Sequence, residues 1–469
     1  MKVFVMRIVV FIIFLVIFNQ HYLQANPSSY VVNIDNPSFR KLRIAVPKFV
    51  IDKDLKKTAA KLAQEGLEQF EYFLDYTGFF KVVNQDAYQG VMGSPAYSGY
   101  KLTGFEQVDF QLLKRVGVES LVLVKILSHK EGLRVELRTA DVNRVSKVVG
   151  KAYIIKNGND FVEIAKRYID HILKAYTGKP GIFSSKIVFA GKITKESKQQ
   201  IYVCDIDGKN IRQITHGNYL HMSPSWGPRG KRILYTSYQK GKPDLYMRSF
   251  YDENQFEMTI ANHQNLNSGG SFSPNGKYIV YTSSRGKNAD LFVIDPRTSK
   301  RTPLTANSGL NVDPVFSPDG KWLAYVSGRF GNPHIFRAKL DWGYGLSVLR
   351  LKEQKRLTYA GWYNTMPSWS PNSKKIAFSS YEKGRSFDVF VMNADGSNIE
   401  RLTLGPGDNE RPTWTANGHL IVFHSNRMKD KSAKGMYQLY IMDKEGRNQK
   451  KIETGFYEAK SPQLSSVNL

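Results

Sequence analysis

The sequence predicts an α/β N-terminal domain followed by an all-β six-bladed β-propeller, with split-blade closure by the C-terminal strand. Three observations predict it. Five segments repeat one pattern: Pro224-Ser-Trp-Gly-Pro-Arg-Gly-Lys231, Gly270-Ser-Phe-Ser-Pro-Asn-Gly-Lys277, Pro314-Val-Phe-Ser-Pro-Asp-Gly-Lys321, Pro367-Ser-Trp-Ser-Pro-Asn-Ser-Lys374 and Pro412-Thr-Trp-Thr-Ala-Asn-Gly-His419. Their aromatic markers, Trp226, Phe272, Phe316, Trp369 and Trp414, recur about every 44 to 53 residues, the period of a four-stranded propeller blade. Before Gly178-Lys-Pro-Gly181 the pattern differs, because strand-like and helix-like segments alternate there.

The α/β part follows from local periodicity. Leu42–Pro47 is a strand, and Leu55–Leu74 carries apolar residues at helical spacing. Phe79–Val83 is a strand after the Thr77-Gly78 stop. Phe110–Val116 is helical, Ser120–Leu127 is an apolar strand, and Leu133–Thr139 pairs with Lys147–Ile155. Asp160–Tyr176 is a second long helix, with Asp160 as its N-cap.

In the repeat, Pro presets φ for a turn, Asp or Asn bonds its own backbone, and Gly supplies φ > 0. An apolar strand follows each copy, as in Ile233-Leu-Tyr-Thr-Ser237, and then a third strand such as Asp244-Leu-Tyr246. Asp207-Gly208 and Asp395-Gly396 mark hairpin turns between outer strands. The Trp or Phe of each first strand is expected to fill the gap between blades. A sixth unit has second, third and fourth strands at Ile187–Ala190, Gln200–Val203 and Ile211–Thr215, but no first strand before them. Ser461-Pro-Gln-Leu-Ser465 supplies it from the other end of the chain, which closes the ring and removes an open edge. With the split unit as blade 1, blade 4 carries an extra Trp342–Gly345 stretch and blade 6 is lengthened around Arg427–Gly435.

Lys2 and Arg7, an apolar run to Phe18, and Leu23-Gln-Ala25 read as a signal peptide over residues 1–25. Ile8–Phe18 is shorter than the about 20 residues of a bilayer span. The expected domains are then 26–178 (α/β) and 182–469 (propeller). The single cysteine, Cys204, lies in a strand and is expected to be a buried structural thiol. The formal net charge is +26, with Lys and Arg scattered rather than clustered, which favours a solvated surface over a nucleic-acid site.

No Gly-x-Ser-x-Gly elbow, His-Glu-x-x-His motif or cysteine pair occurs. Asp205-x-Asp-Gly-x-Asn210 departs from a calcium loop, with Gly at the fourth position and His216 at the twelfth. The sequence therefore points to a non-enzymatic binding protein without metal or cofactor. The loops that lead into each first strand gather at one mouth of the channel. Their candidate contact residues are Tyr219, His221, Met222, His263, Asn267, Asn311, Thr365, Met366, Glu410, Arg411 and Glu458.

The repeats, with Ser-Pro-Asp-Gly-Lys, Asp-Leu-Tyr and Asp-Gly-x-Asn, resemble those of the TolB family, as do Tyr30-Val-Val-Asn-Ile-Asp35 before Ile44-Ala-Val-Pro47 and Gly78-Phe-Phe-Lys-Val82. The resemblance runs over nearly the whole mature chain. It implies a periplasmic scaffold of the Tol–Pal system that supports outer-membrane integrity and constriction at division. A Pal-like peptidoglycan-associated lipoprotein would dock at the mouth. A TolA-like inner-membrane protein would take the segment Asn26–Asn36, with Tyr30, Val32, Ile34 and Asp35 as contacts, by strand addition. A monomer peripherally associated with the envelope is expected. The alternative is an exported propeller that binds a glycan, peptidoglycan or another ligand without Tol partners.

Overall fold

The computed structural model describes residues 40–88, 108–156, 159–252, 257–263, 265–284, 288–306, 309–343, 349–427 and 436–465. The expected signal peptide, the segment with Tyr30, Val32, Ile34 and Asp35, and the lengthened part of blade 6 at 428–435 lie outside them.

One mixed sheet forms the α/β part, from β1 (Leu42–Ala45), β2 (Val50–Ile51), β3 (Phe80–Val82), β4 (Ser120–His129), β5 (Gly132–Asp141) and β6 (Ser146–Ile155). Its order is β3-β1-β4-β5-β6, with β2 also on β4; β1 runs parallel to β3 and β4, and β4-β5-β6 is an antiparallel meander. Two long helices, α1 (Lys56–Tyr76) and α3 (Asn159–Thr177), share a core on one face, and short α2 (Phe110–Arg115) packs on the other. Gly66 lets α1 and α3 approach, since a Cβ there would lie 2.8 Å from the Phe161 ring. α1 stops at Gly78 (φ +68), whose N–H donates to the Asp75 carbonyl. Asp160 is not the N-cap expected of it. It sits inside the first turn of α3 and accepts from the Lys156 N–H at 3.0 Å, so it ties the preceding loop instead.

Six four-stranded antiparallel sheets make the propeller. Blade 1 is split: Glu458–Leu464 pairs with Lys186–Lys192, followed by Gln200–Asp205 and Arg212–Gln213. The register runs from Glu458↔Lys192 to Leu464↔Ile187. This terminal strand is bonded beyond its own blade. Gln463 Oε1 accepts from the Trp226 N–H of blade 2, the Ser461 N–H donates to His424 Nδ1 of blade 6 (3.1 Å), and the Leu464 N–H to Thr413 Oγ1 (3.3 Å). Each marker ring sits between blades as expected: Trp226 with Val188 and Ile201 of blade 1, Trp414 with Ala377 and Val389 of blade 5. Trp369 and Trp414 also donate their indole N–H to carbonyls of the preceding blade, Val315 and Ser368, both at 3.2 Å. Burial of each ring contributes about 1.5–3 kcal/mol. In blade 4 the third strand is extended to Trp342, whose ring stacks on Tyr278 and Phe316 and whose N–H donates to the Gly320 carbonyl at 3.1 Å.

The two parts share one core. Phe73, Tyr76 and Tyr168 belong to the same apolar cluster as Ile187, Cys204, Val422 and Leu439 of blades 1 and 6. Cys204 is a fully buried thiol, and burial pushes its pKa up. Asp205 and Asp207 do not form an oxygen cage; they face the Lys166 ammonium of α3 at 3.6 and 2.8 Å. Burial pulls the pKa of Lys166 down, but the bond to Asp207 and the charges of Asp207, Glu163 and Asp205 outweigh it and hold it up. On the second contact, Gly78 lies against Leu420 and His419, and burial pushes His419 down to about 4.

Leu464→Ala should cost about 2–5 kcal/mol, a Tm drop of about 4 °C or more, and truncation after Lys460 should cost more; a thermal melt with unchanged Tm would contradict the split blade. His419 is neutral when folded and has an ordinary pKa when unfolded, so the unfolded state takes up its proton first. Its contribution is intact above about pH 6.5 and is lost as pH falls toward 4. Urea midpoints of His419→Gln should fall less steeply than those of the parent across that window.

Candidate functional site: the propeller mouth

The first strand of every blade is bulged at one equivalent place. Ser223, Gly269, Asp313, Met366, Arg411 and Ser461 all have φ between 50° and 54°, and the strand register shifts at each. Five of the six are not glycine and precede a proline. A left-handed conformation at such a residue costs about 1–2 kcal/mol, so neighbours must hold it. Neighbours do so in sequence around the ring. The Gly269 N–H donates to Thr236 Oγ1 (3.3 Å), Met366 to Asp313 Oδ2 (3.3 Å), Arg411 to Ser379 Oγ (3.0 Å) and Ser461 to His424 Nδ1 (3.1 Å), each on the preceding blade. The bulges narrow the channel to a throat of about 120 Å³, in which Asp313 and Arg411 are the charged lining residues.

Above the throat, an asparagine at or next to the start of the first strand of four blades links it to the blade before. Asn267 Nδ2 donates to Asp244 Oδ1 (3.3 Å) and its Oδ1 accepts from Ser283 Oγ (2.9 Å). Asn409 repeats this with Asp388 (3.0 Å) and Ser425 (2.8 Å), and Asn311 bonds Asp290 at 3.2 Å. In blade 5, Asn364 meets His334 Nδ1 at 3.1 Å, so His334 of blade 4 occupies the position that Asp244, Asp290 and Asp388 hold in blades 2, 3 and 5.

These networks sort the residues expected at the mouth. Asn267, Asn311, Thr365 and His221 are buried. The asparagines join blades, Thr365 Oγ1 donates to Asp313 Oδ2 at 2.9 Å, and His221 lies edge-on to Tyr235 with its pKa lowered by burial. Tyr219 is exposed, and Met222, His263, Met366, Glu410, Arg411 and Glu458 are partly exposed. Glu410 accepts from the Tyr437 hydroxyl at 2.7 Å, and burial raises its pKa. Buried His424 beside it is held well below its usual value by burial and by Arg411 and Lys460.

Sequence reasoning missed an arc of apolar side chains on the same face. Phe330, Tyr359, Trp362 and Leu404 are 69%, 70%, 51% and 81% exposed. They occupy the loops around blades 4, 5 and 6: the Trp362 N–H donates to Tyr381 O, and Asn364 N–H to Pro333 O, which knits these loops together. Lys383 lies 5.3 Å from the Trp362 ring and Arg356 4.9 Å from Tyr359. Large apolar residues beside turn glycines, as in Gly361-Trp362 and Leu404-Gly405, were the available signal. Large exposed rings flanked by cations are the composition of a protein-binding patch.

The family profile described as the TolB beta propeller domain matches residues 173–468. The chain belongs to that family. Proteins named "Tol-Pal system protein TolB" from Desulfosudis oleivorans and Anaeromyxobacter dehalogenans are each 32% identical, over 46% and 62% of this chain. The matches span 47% and 63% of those relatives, so roughly half to three-fifths of their length is compared. The crystal structure of TolB from Acinetobacter baumannii covers 91% of this chain and 97% of its own, with a TM-score of 0.73 and 23% identity, which establishes a common TolB fold across both parts.

Asn409→Ala should remove the bridge between blades 5 and 6, leave buried Asp388 and Ser425 short of a partner, and cost about 1–3 kcal/mol. Chemical denaturation measures this, and an unchanged midpoint would contradict the structural role of the asparagine.

Proposed function

We propose that this chain is a periplasmic, non-enzymatic protein-binding scaffold of a Tol–Pal system, supporting outer-membrane integrity and envelope constriction during division. In this proposal a Pal-like peptidoglycan-associated lipoprotein docks on the mouth, and a TolA-like inner-membrane protein takes the segment with Tyr30, Val32, Ile34 and Asp35. Membership of the TolB family supports the system. The observation that carries the docking site is the arc Phe330, Tyr359, Trp362 and Leu404 beside a throat held by inter-blade bonds. A rigid platform loses little entropy when a partner binds, and exposed rings provide the buried anchors of an interface. Tyr219, Met222, His263, Met366, Glu410, Arg411 and Glu458 complete the proposed contact surface, Met366 and Arg411 from the throat.

The test is capture from an envelope extract with crosslinking, followed by titration of the purified lipoprotein. Tyr359→Ala with Trp362→Ala should weaken binding at least about tenfold, a loss of about 1.4 kcal/mol, with Tm unchanged because both rings face solvent. Capture of glycan without a lipoprotein, or unaltered affinity of the double variant, would refute the proposal.

A further inference from the structure

The face opposite the mouth carries a second groove, of about 630 Å³, between blades 5 and 6 and the connection that follows α3. Four lysines from separate places line it: Lys179 of the connection, Lys374 and Lys375 at the start of a blade 5 strand, and Lys444 of a blade 6 turn. Two carboxylates, Glu400 and Glu445, share the groove, and Lys444 Nζ lies 3.8 Å from Glu445 Oε1. Pro371, Trp414 and Ala416 supply apolar wall.

Two amides give the groove its direction. Asn417 is 94% buried, and its Oδ1 is used inside its own turn, accepting from Thr415 Oγ1 (2.8 Å) and the His419 N–H (3.0 Å). Asn372 does the same with Ser370 Oγ (2.8 Å) and the Lys374 N–H (3.1 Å). Each turn thus fixes the amide with oxygen inward and leaves the NH2 group as a donor at the groove. In blade 4 the same turn is made by Asp319, which accepts from Ser317 Oγ and the Lys321 N–H and has no NH2 to offer. The turn does not require an amide.

We propose that this groove binds an acidic peptide segment, at a site separate from the mouth and independent of the function proposed above. Ammonium and amide donors match carboxylates and peptide carbonyls, and the Pro371, Trp414 and Ala416 wall covers the methylene part of glutamate side chains. A bare anion would leave that wall and most of the volume unused.

The probe is fluorescein-labelled hexaglutamate, followed by anisotropy with the full mature chain at physiological salt. Asn372→Asp with Asn417→Asp keeps both turns in the form Asp319 already shows, while reversing the donors. It should weaken binding at least tenfold at unchanged Tm, and Lys374→Glu with Lys375→Glu should do the same. Lys195→Glu with Lys198→Glu, an equal charge change on an exposed blade 1 loop, should alter affinity less than threefold. Equal losses in all three variants would mean nonspecific attraction to a basic protein and would overturn the proposal. Absence of binding, or displacement of the peptide by low-millimolar inorganic phosphate, would overturn it as well. If the asparagine variant fails to fold, the two lysine pairs decide.

Discussion

Everything in this molecule depends on one strand, Glu458–Leu464, which completes blade 1 from the far end of the chain. A propeller blade cannot bury both faces alone; it needs a neighbour on each side. Ring closure supplies the last of these neighbours. The terminal strand is bonded into blades 1, 2 and 6 at once, through Lys186–Lys192, Trp226, His424 and Thr413. The α/β part reinforces the same seam, because its helices pack against blades 1 and 6 and its Lys166 neutralises the Asp205 and Asp207 turn. Stability of the seam and association of the two parts are therefore one problem.

The closed ring allows strain to be held at its centre. Six bulges, five of them at residues that disfavour positive φ, occupy equivalent places, and several are fixed by a side chain of the preceding blade. An open array would relax at its free end. The result is a narrow throat surrounded by loops whose positions are set by asparagine bridges below them, with the outer rings of Tyr359 and Trp362 exposed to solvent. The surplus of basic residues has a structural use as well. Arg212, Lys300, Arg301, Arg350, Lys352, Lys450 and Lys451 lie on the outermost strands of their blades, where charge discourages edge-to-edge pairing.

Much of this was legible in the sequence. The Ser-Pro-Asp-Gly turns and the aromatic period gave the blades, and the missing first strand before Lys186 pointed to Ser461–Ser465. The mouth was less legible. Asn267 and Asn311 look like loop residues because they are polar and adjoin turns, but they bond across blades, a relation that no local pattern carries. The bulges were hidden for a related reason: Asp313-Pro314 and Arg411-Pro412 suggest a break, while the positive φ arises from the packing of six strands around one axis. Phe330, Tyr359 and Leu404 were passed over because apolar residues between strands are ordinarily assigned to a core. Asp160 falls inside the helix, as its second residue, since cap geometry depends on the loop before the helix.

Native-state hydrogen exchange of the full chain tests the central claim most directly. Amides of Ala459, Gln463 and Leu464 should exchange only through global opening, with the same free energy as amides in Ile187–Ala190 and in the central strand Ile421–Ser425 of blade 6. Exchange of the terminal-strand amides by local fraying, at a free energy several kcal/mol below that of their neighbours, would contradict it.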